Sequence, residues 1–201
     1  MAGGSWTHLI ARAFVRPLVG GPITPNHLTT ARLASGLAAC AAFAVGAPMW
    51  TVWGGVLWLI SAFLDRADGE LARLAGSSSK WGHVYDYICD VVVNGVFFLS
   101  IGIGLRNSDL GWWAAAMGLL AGSCVAAASV LSEVLEKRQG GTRKAYEGFA
   151  GFDFDDVLYL FAPIAWLGWL MPLLIGAAIG GPIFAAVTWY RLHRAARPTG
   201  R

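Results

Sequence analysis

The chain has 201 residues, of which 56% are hydrophobic and only 13% charged, with a formal net charge of +3. A soluble domain carries about 25% charged residues, so this composition excludes an ordinary soluble fold, and one integral membrane domain is expected. Ten tryptophans suit anchoring at the membrane surface, because an indole is apolar in body and polar at its N–H; Trp50, Trp53, Trp58, Trp112, Trp113, Trp166 and Trp169 fall near the expected span ends.

Residues 5–20 place Trp6, Leu9, Ile10, Phe14 and Leu18 near one helical face, with Arg12 and Arg16 elsewhere. This is the pattern of an amphipathic helix lying in the headgroup layer. Gly20-Gly21-Pro22 ends it, which sets an interfacial unit over 1–22 apart from a membrane domain over 23–201. Thr24-Pro25-Asn26-His27-Leu28-Thr29 offers capping side chains before a first span at about 28–46. After the turn Gly46-Ala47-Pro48, a second apolar run from Met49 to Leu64 is about 15 residues long, roughly 23 Å, and so must continue through Asp65 to Arg73 on the inner side. A polar turn at 76–80 precedes a third span from about Gly82 to Leu105 and a fourth from about Leu110 to Leu131. A loop of mixed charge runs from Glu133 to Asp156. The last apolar block, Val157 to Tyr190, is long enough for two spans with a turn at Leu170-Met171-Pro172; a break at Gly180-Gly181-Pro182 would leave the final helix too short. The predicted fold is all-α and polytopic, with six transmembrane helices and an N-terminal interfacial helix.

Charge decides the orientation. With six spans, Arg12, Arg16, Arg32, Arg66, Arg73, Lys80, Lys137, Arg138, Arg143, Lys144, Arg191, Arg194, Arg197 and Arg201 share one side, and Arg106 alone takes the other. By the positive-inside rule both termini are cytoplasmic, in the cell (inner) membrane. No cleavable signal peptide is expected, and the first span serves as the targeting signal. Cys40, Cys89 and Cys124 sit in apolar segments without metal-ligand spacing and are read as packing residues.

Acidic groups are costly in lipid, yet four aspartates fall within Asp65 to Asp90. On a helix Asp65, Asp68, Gly69, Ala72 and Arg73 form one stripe, and Gly82, Asp86 and Asp90 a second. Two antiparallel helices joined by a short turn would face these stripes toward each other and gather four carboxylates. All-oxygen ligation favours Mg²⁺, Mn²⁺ or Ca²⁺, and two such ions are the usual arrangement for phosphoryl transfer. Gly69 and Gly82 permit close approach of a base or phosphate to the backbone. Arg73 offers a planar donor for phosphate oxygens. Each glycine alone would read as helix packing, and Arg73 alone as a snorkelling side chain.

The stretch resembles the signature of the CDP-alcohol phosphotransferase (CDP-alcohol phosphatidyltransferase) family, Asp-x-x-Asp-Gly-x-x-Ala-Arg, eight spacer residues, then Gly-x-x-x-Asp-x-x-x-Asp. Every fixed position matches, at Asp65, Asp68, Gly69, Ala72, Arg73, Gly82, Asp86 and Asp90. The resemblance implies a membrane enzyme of phospholipid biosynthesis that transfers a phosphatidyl group from CDP-diacylglycerol to a small alcohol acceptor and releases CMP. It implies that Asp65, Asp68, Asp86 and Asp90 hold two divalent cations, Mg²⁺ or Mn²⁺, that Gly69, Ala72, Arg73 and Gly82 cradle the CDP group, and that Asp90 is the general base. A homodimer in the bilayer is the family expectation, and no nucleic-acid partner is expected. Transfer of a CDP-linked headgroup such as choline or ethanolamine to a lipid alcohol is the alternative within the class. A cation carrier is disfavoured, because carriers place such groups near the midplane and show internal repeats.

Outside the signature, Asn26 and Thr29 are placed to reach the nucleotide or simply to cap the first span. Arg32 is read as snorkelling, with contact to an anionic lipid as the other reading. Glu133, Lys137 and Arg138, with Arg143 and Lys144, mark the acceptor side and would suit a phosphorylated alcohol, although positive-inside retention explains the same cations. Asp153, Asp155 and Asp156 point instead to a polyol or amine, or cap a helix N-terminus.

Overall fold

The computed structural model describes residues 6–138 and 154–195, and among them the chain is helical with no strand. The first helix, α1 (Trp6–Val15), is followed by a single 3₁₀ turn at Arg16–Leu18; then come α2 (Pro25–Val45), α3 (Pro48–Ala75), α4 (Lys80–Gly104) and α5 (Trp113–Arg138). A 3₁₀ segment, Phe154–Leu160, leads into the short α6 (Phe161–Trp166), and α7 (Leu170–Ala195) ends the described chain.

Four helices, α2, α4, α5 and α7, are long and apolar enough to cross a membrane. The helix α3 is longer still at 28 residues, but its second half carries the charges from Asp65 to Arg73, as its short apolar run required. The fifth predicted span is only an apolar helical stretch over Asp156–Trp166. The chain reverses at Gly168, whose φ of 74° is left-handed, a few residues before the expected turn. Leu170-Met171-Pro172 instead opens α7, because proline is tolerated in the first turn of a helix, where its missing N–H has no partner to lose.

The helices are joined by compact turns. At Gly46 the chain leaves α2 with φ 76°, and a Cβ there would drive into the carbonyl of Gly104; a Cβ on Gly104 would strike the carbonyl of Phe43 in return. Only two glycines allow α2 and α4 to meet backbone to backbone here. At the opposite end, Ser79 caps α4 by accepting from the Gly82 N–H at 2.9 Å, satisfying one of the orphan donors of a helix N-terminus.

The core lies between α2, α3, α4, α5, α6 and α7. Phe97 is fully buried and stacks on Phe161 with ring centroids 4.9 Å apart and planes at 6°, while Trp58 lies 4.1 Å from it on another side. Trp58 is therefore no surface anchor: it is 2% exposed, and its indole N–H donates to the Leu158 carbonyl at 2.9 Å, which removes the polar tip that would have sought the membrane surface. Trp50, Trp53, Trp112, Trp113, Trp166 and Trp169 are exposed, as anchors would be. Cys40 and Cys89 are buried and Cys124 is half-buried, all as free thiols.

The helix α1 rests on α3. Thr7, Ala11 and Val15, at intervals of four, are buried, and Phe14 meets Phe63 edge to face at 5.2 Å. Leu9, Ile10 and Phe14 remain exposed, leaving an apolar face open to a lipid surface.

Candidate functional site

The two acidic stripes do converge, but not by direct packing of α3 on α4. Both helices pack on α2, and α2 supplies the group that joins them. Arg32 is 2% exposed; its Nη1 forms an ion pair with Asp65 Oδ1 at 2.8 Å and donates to Asp86 Oδ1 at 2.9 Å, and its Nη2 donates to Asp90 Oδ1. The guanidinium does not snorkel. Facing rows of carboxylates repel, and a planar cation with several fixed donors between them offsets that repulsion while satisfying its own buried charge. Asp68 is held from the same helix: Thr29 Oγ1 donates to its Oδ2 at 2.7 Å. Thr29 thus serves the acidic cluster rather than a cap. The cap of α2 is Thr24, whose backbone N–H donates to His27 Nδ1 at 3.3 Å.

Carboxylate oxygens of Asp65, Asp68 and Asp86 all lie within 4.8 Å of one another. One guanidinium among four carboxylates leaves the cluster negative when the acids are ionised, and its donors are hard oxygens. That combination fits a divalent cation such as Mg²⁺ or Mn²⁺ and not zinc, which prefers nitrogen and sulfur. Asp90 stands apart from the three, bound to Arg32.

Beside the cluster opens a cavity of about 920 Å³. Its walls come from the segment after α1, the start of α2, the end of α3 and the start of α4, and include Asn26, Thr29, Asp68, Gly69, Ala72, Arg73, Gly82, His83 and Asp86. All four signature residues expected to cradle a nucleotide therefore line one space. A Cβ on Gly69 would meet nothing nearer than the Arg73 guanidinium at 3.6 Å, so the fold leaves that face of α3 open toward the cavity. Gly82 is tighter: a Cβ there would stand 3.2 Å from Asn26 Oδ1, which places Asn26 against α4.

Arg73 is held by Glu70, accepting from Nη2 at 2.7 Å. His8 Nδ1 lies 2.9 Å from the same Glu70 oxygen. Burial pushes the Glu70 carboxyl up, but the bond and charge of Arg73 and the bond from His8 outweigh it and hold the group below its ordinary value. Behind this pair, Arg66 reaches His8 Nε2 at 3.3 Å and donates to Asp156 at 3.3 Å, and Thr7 Oγ1 donates to Asp156 at 2.8 Å. Asp156 is thus neither an acceptor ligand nor a free helix cap; it is buried and ties the segment before α6 to α1 and α3. The Asp155 side chain and Asp153 lie outside the described residues.

On the far rim, Glu133 of α5 pairs with His83 at 3.1 Å and with Lys137 at 3.0 Å. The pairing brings Glu133 and Lys137 to the edge of the cavity, through His83. Arg138 is exposed at the end of α5, and Arg143 and Lys144 lie outside the described residues. The sequence pattern pointed Arg32 toward water or an anionic lipid and not toward the aspartates, although one signal for them was there. It is the sole charged residue in α2, and a buried guanidinium in an apolar helix requires an acidic partner.

The model of the family described as CDP-alcohol phosphatidyltransferase matches residues 22–192, and the chain belongs to that family. With its apolar helices, it is an integral membrane protein. It is similar to the bifunctional IPC transferase and DIPP synthase of Thermococcus kodakarensis, with 31% identity over 106 residues that make up 53% of this chain and 24% of the relative. To the phosphatidylinositol phosphate synthase of Corynebacterium glutamicum it is 31% identical over 119 residues, 56% of this chain and 49% of that one. The chain spans about a quarter and about half the length of these two relatives. Its fold is also that of the Mycobacterium tuberculosis phosphatidylinositol phosphate synthase. With CDP-DAG bound, that protein gives a TM-score of 0.61 at 18% identity, covering 98% of this chain and 99% of its own; its complex with manganese and citrate gives 0.58 at 21%, covering 94% and 86%. At these identities the likeness is one of fold.

Proposed function

We propose that the protein is a metal-dependent phosphatidyltransferase that moves the phosphatidyl group of CDP-diacylglycerol to a small alcohol with release of CMP. The observation that carries this reading is the convergence of the four signature aspartates on Arg32 and Thr29 at the edge of a cavity lined by Gly69, Ala72, Arg73 and Gly82. In this reading Asp65, Asp68, Asp86 and Asp90 hold two divalent ions, Mg²⁺ or Mn²⁺. Bound there, the ions neutralise phosphate oxygens and the charge that develops on the departing CMP.

The protein's own residues do the rest. Gly69 and Ala72 let the CDP group lie against α3, Gly82 does the same on α4, and Arg73 donates to phosphate oxygens. Asn26 closes the nucleotide side, and Thr29 keeps Asp68 oriented. The acceptor oxygen attacks the β-phosphorus, the bond from that phosphorus to the CMP oxygen breaks, and the acceptor proton passes to Asp90. Arg32 engages Oδ1 of Asp90, so Oδ2 is the oxygen assigned to the proton. The acceptor enters past Glu133, Lys137 and Arg138, whose cations suit a phosphorylated alcohol; the name of the Corynebacterium relative favours inositol phosphate among such acceptors. The Asp65–Arg73 end of α3 and both termini face the cytoplasm in this reading, which the clustering of Lys and Arg supports. Six spans result when α3 and the 154–166 segment are counted with the four long apolar helices, and the functional unit is a homodimer.

The test is CMP release by purified protein in detergent or vesicles, with CDP-diacylglycerol, Mg²⁺ or Mn²⁺ and a panel of inositol phosphate, glycerol phosphate, inositol and serine. Turnover with one acceptor supports the proposal and names it. Silence with all of them, and turnover of CDP-choline or CDP-ethanolamine with diacylglycerol, overturns it.

A further inference from the structure

Arg73 has a problem that its neighbours solve. Its side chain is 57% exposed on the wall of a wide cavity, and a flexible cation in water loses much of its binding contribution to the entropy of being held in one geometry. The bond to Glu70, three residues earlier, would be weak if Glu70 were equally free. It is not: the Glu70 side chain is 11% exposed and is gripped from the other side by His8 of α1.

The chemistry of His8 fixes the direction of that grip. Arg66 Nη1 lies 3.3 Å from His8 Nε2, and a guanidinium can only donate. Nδ1 faces two groups, Glu70 Oε1 at 2.9 Å and Arg73 Nη2 at 3.4 Å; the nearer is a carboxylate that can only accept, so with Nε2 turned to Arg66 the hydrogen is best placed on Nδ1, aimed at Glu70. Arg66 is in turn fixed by Asp156, which also accepts from Thr7. A chain of polar contacts thus runs from the buried junction of α1, α3 and the segment before α6 out to the cavity wall, where Arg73 is its terminus.

We infer that His8 and Glu70 are positioning residues for the nucleotide site: they preorganise Arg73 for a diphosphate, and through them α1 is a working part of that site. The inference rests on the proposed role of Arg73 in holding the CDP group. It assigns no contact with substrate to His8 or Glu70.

The test is calorimetric titration of the purified full-length protein with CMP in the presence of Mn²⁺, which requires neither acceptor nor turnover. The wild type binds CMP, and Arg73→Ala weakens it. His8→Ala and Glu70→Gln each weaken it about tenfold, whereas His8→Asn, whose amide N–H stands near the place of Nδ1–H, keeps most of the affinity. In the Arg73→Ala background His8→Ala has no further effect, which a merely structural role would not produce. Equal losses from His8→Ala in both backgrounds, or undiminished CMP binding in Glu70→Gln, overturn the inference, and Glu70→Gln decides alone if His8→Ala does not fold. A wild type that binds CMP and shows this coupling but turns over no CDP-diacylglycerol sinks the proposed function and leaves the positioning role standing; a wild type or Arg73→Ala variant in which Arg73 proves irrelevant to CMP sinks the positioning role.

Discussion

Thr29 Oγ1 donates to Asp68 Oδ2 at 2.7 Å, while its other contact, to the Pro25 carbonyl within its own helix, is longer at 3.2 Å. A single hydroxyl hydrogen favours the shorter, charged acceptor. Thr29→Val keeps the side-chain shape and removes that bond, so Asp68 loses its orientation. Partners that orient metal-binding carboxylates are typically worth about 10- to 100-fold in metal affinity. A Mn²⁺ titration followed by electron paramagnetic resonance should show a loss of that size; unchanged affinity would separate Asp68 from the metal site.

Arg32 is the counter-charge to the cluster, and its removal should make stability depend on divalent ions. Breaking a buried ion pair from one side costs about 3 to 5 kcal/mol because the partner charge is stranded. Thermal unfolding of Arg32→Gln in chelator should fall well below wild type, and Mg²⁺ or Mn²⁺ should raise its midpoint by more than it raises that of wild type. An equal rise in both proteins would mean that the guanidinium does not compete with cations for these carboxylates.

Asp90 differs from the other three acids in standing outside their 4.8 Å group. Asp90→Asn is expected to reduce the rate of CMP release by about 10² to 10⁴, the usual contribution of a general base, while CMP still binds. Wild-type turnover in this variant would remove Asp90 from the proton transfer.

Gly69 separates the needs of the fold from those of the site. With nothing closer than 3.6 Å to a new Cβ, Gly69→Ala should leave the fold intact and stabilise α3 by about 0.5 to 1 kcal/mol, the helix advantage of alanine. The methyl group would still hold a nucleotide off the backbone, so CMP binding should drop by roughly tenfold or more. A higher unfolding midpoint with unimpaired CMP affinity would free Gly69 from the binding role.

Much of this arrangement was legible in the residue pattern. The short apolar run before Asp65 forced α3 to continue past the lipid, and it does so to Ala75; the three- and four-residue spacing put the acids on one face of each helix. Arg32 was misread because a lone arginine in an apolar segment looks the same whether it reaches for water or for buried carboxylates, and only the third dimension distinguishes them. Trp58 was misread for a related reason: nearness to a span end says nothing about which way an indole points. Hydropathy predicts the fifth span from Val157 onward, and it does not register that Phe154–Leu160 coils as a 3₁₀ helix. The link from His8 to Arg73 joins positions 65 apart in the chain, a separation at which periodicity carries no information.

The paired glycines at the far end of α2 and α4 have a mechanical consequence. Gly46 and Gly104 lock the two rods together at one tip, while Asn26 and Thr29 on one rod and Gly82 and Asp86 on the other border the mouth at the opposite tip. With α2 about 30 Å long, this clasp and the Arg32 bridge to Asp86 and Asp90 pin the two rods at separate levels. A methyl group wedged into the clasp would act on the mouth only through the relative setting of the rods, without touching anything that binds there.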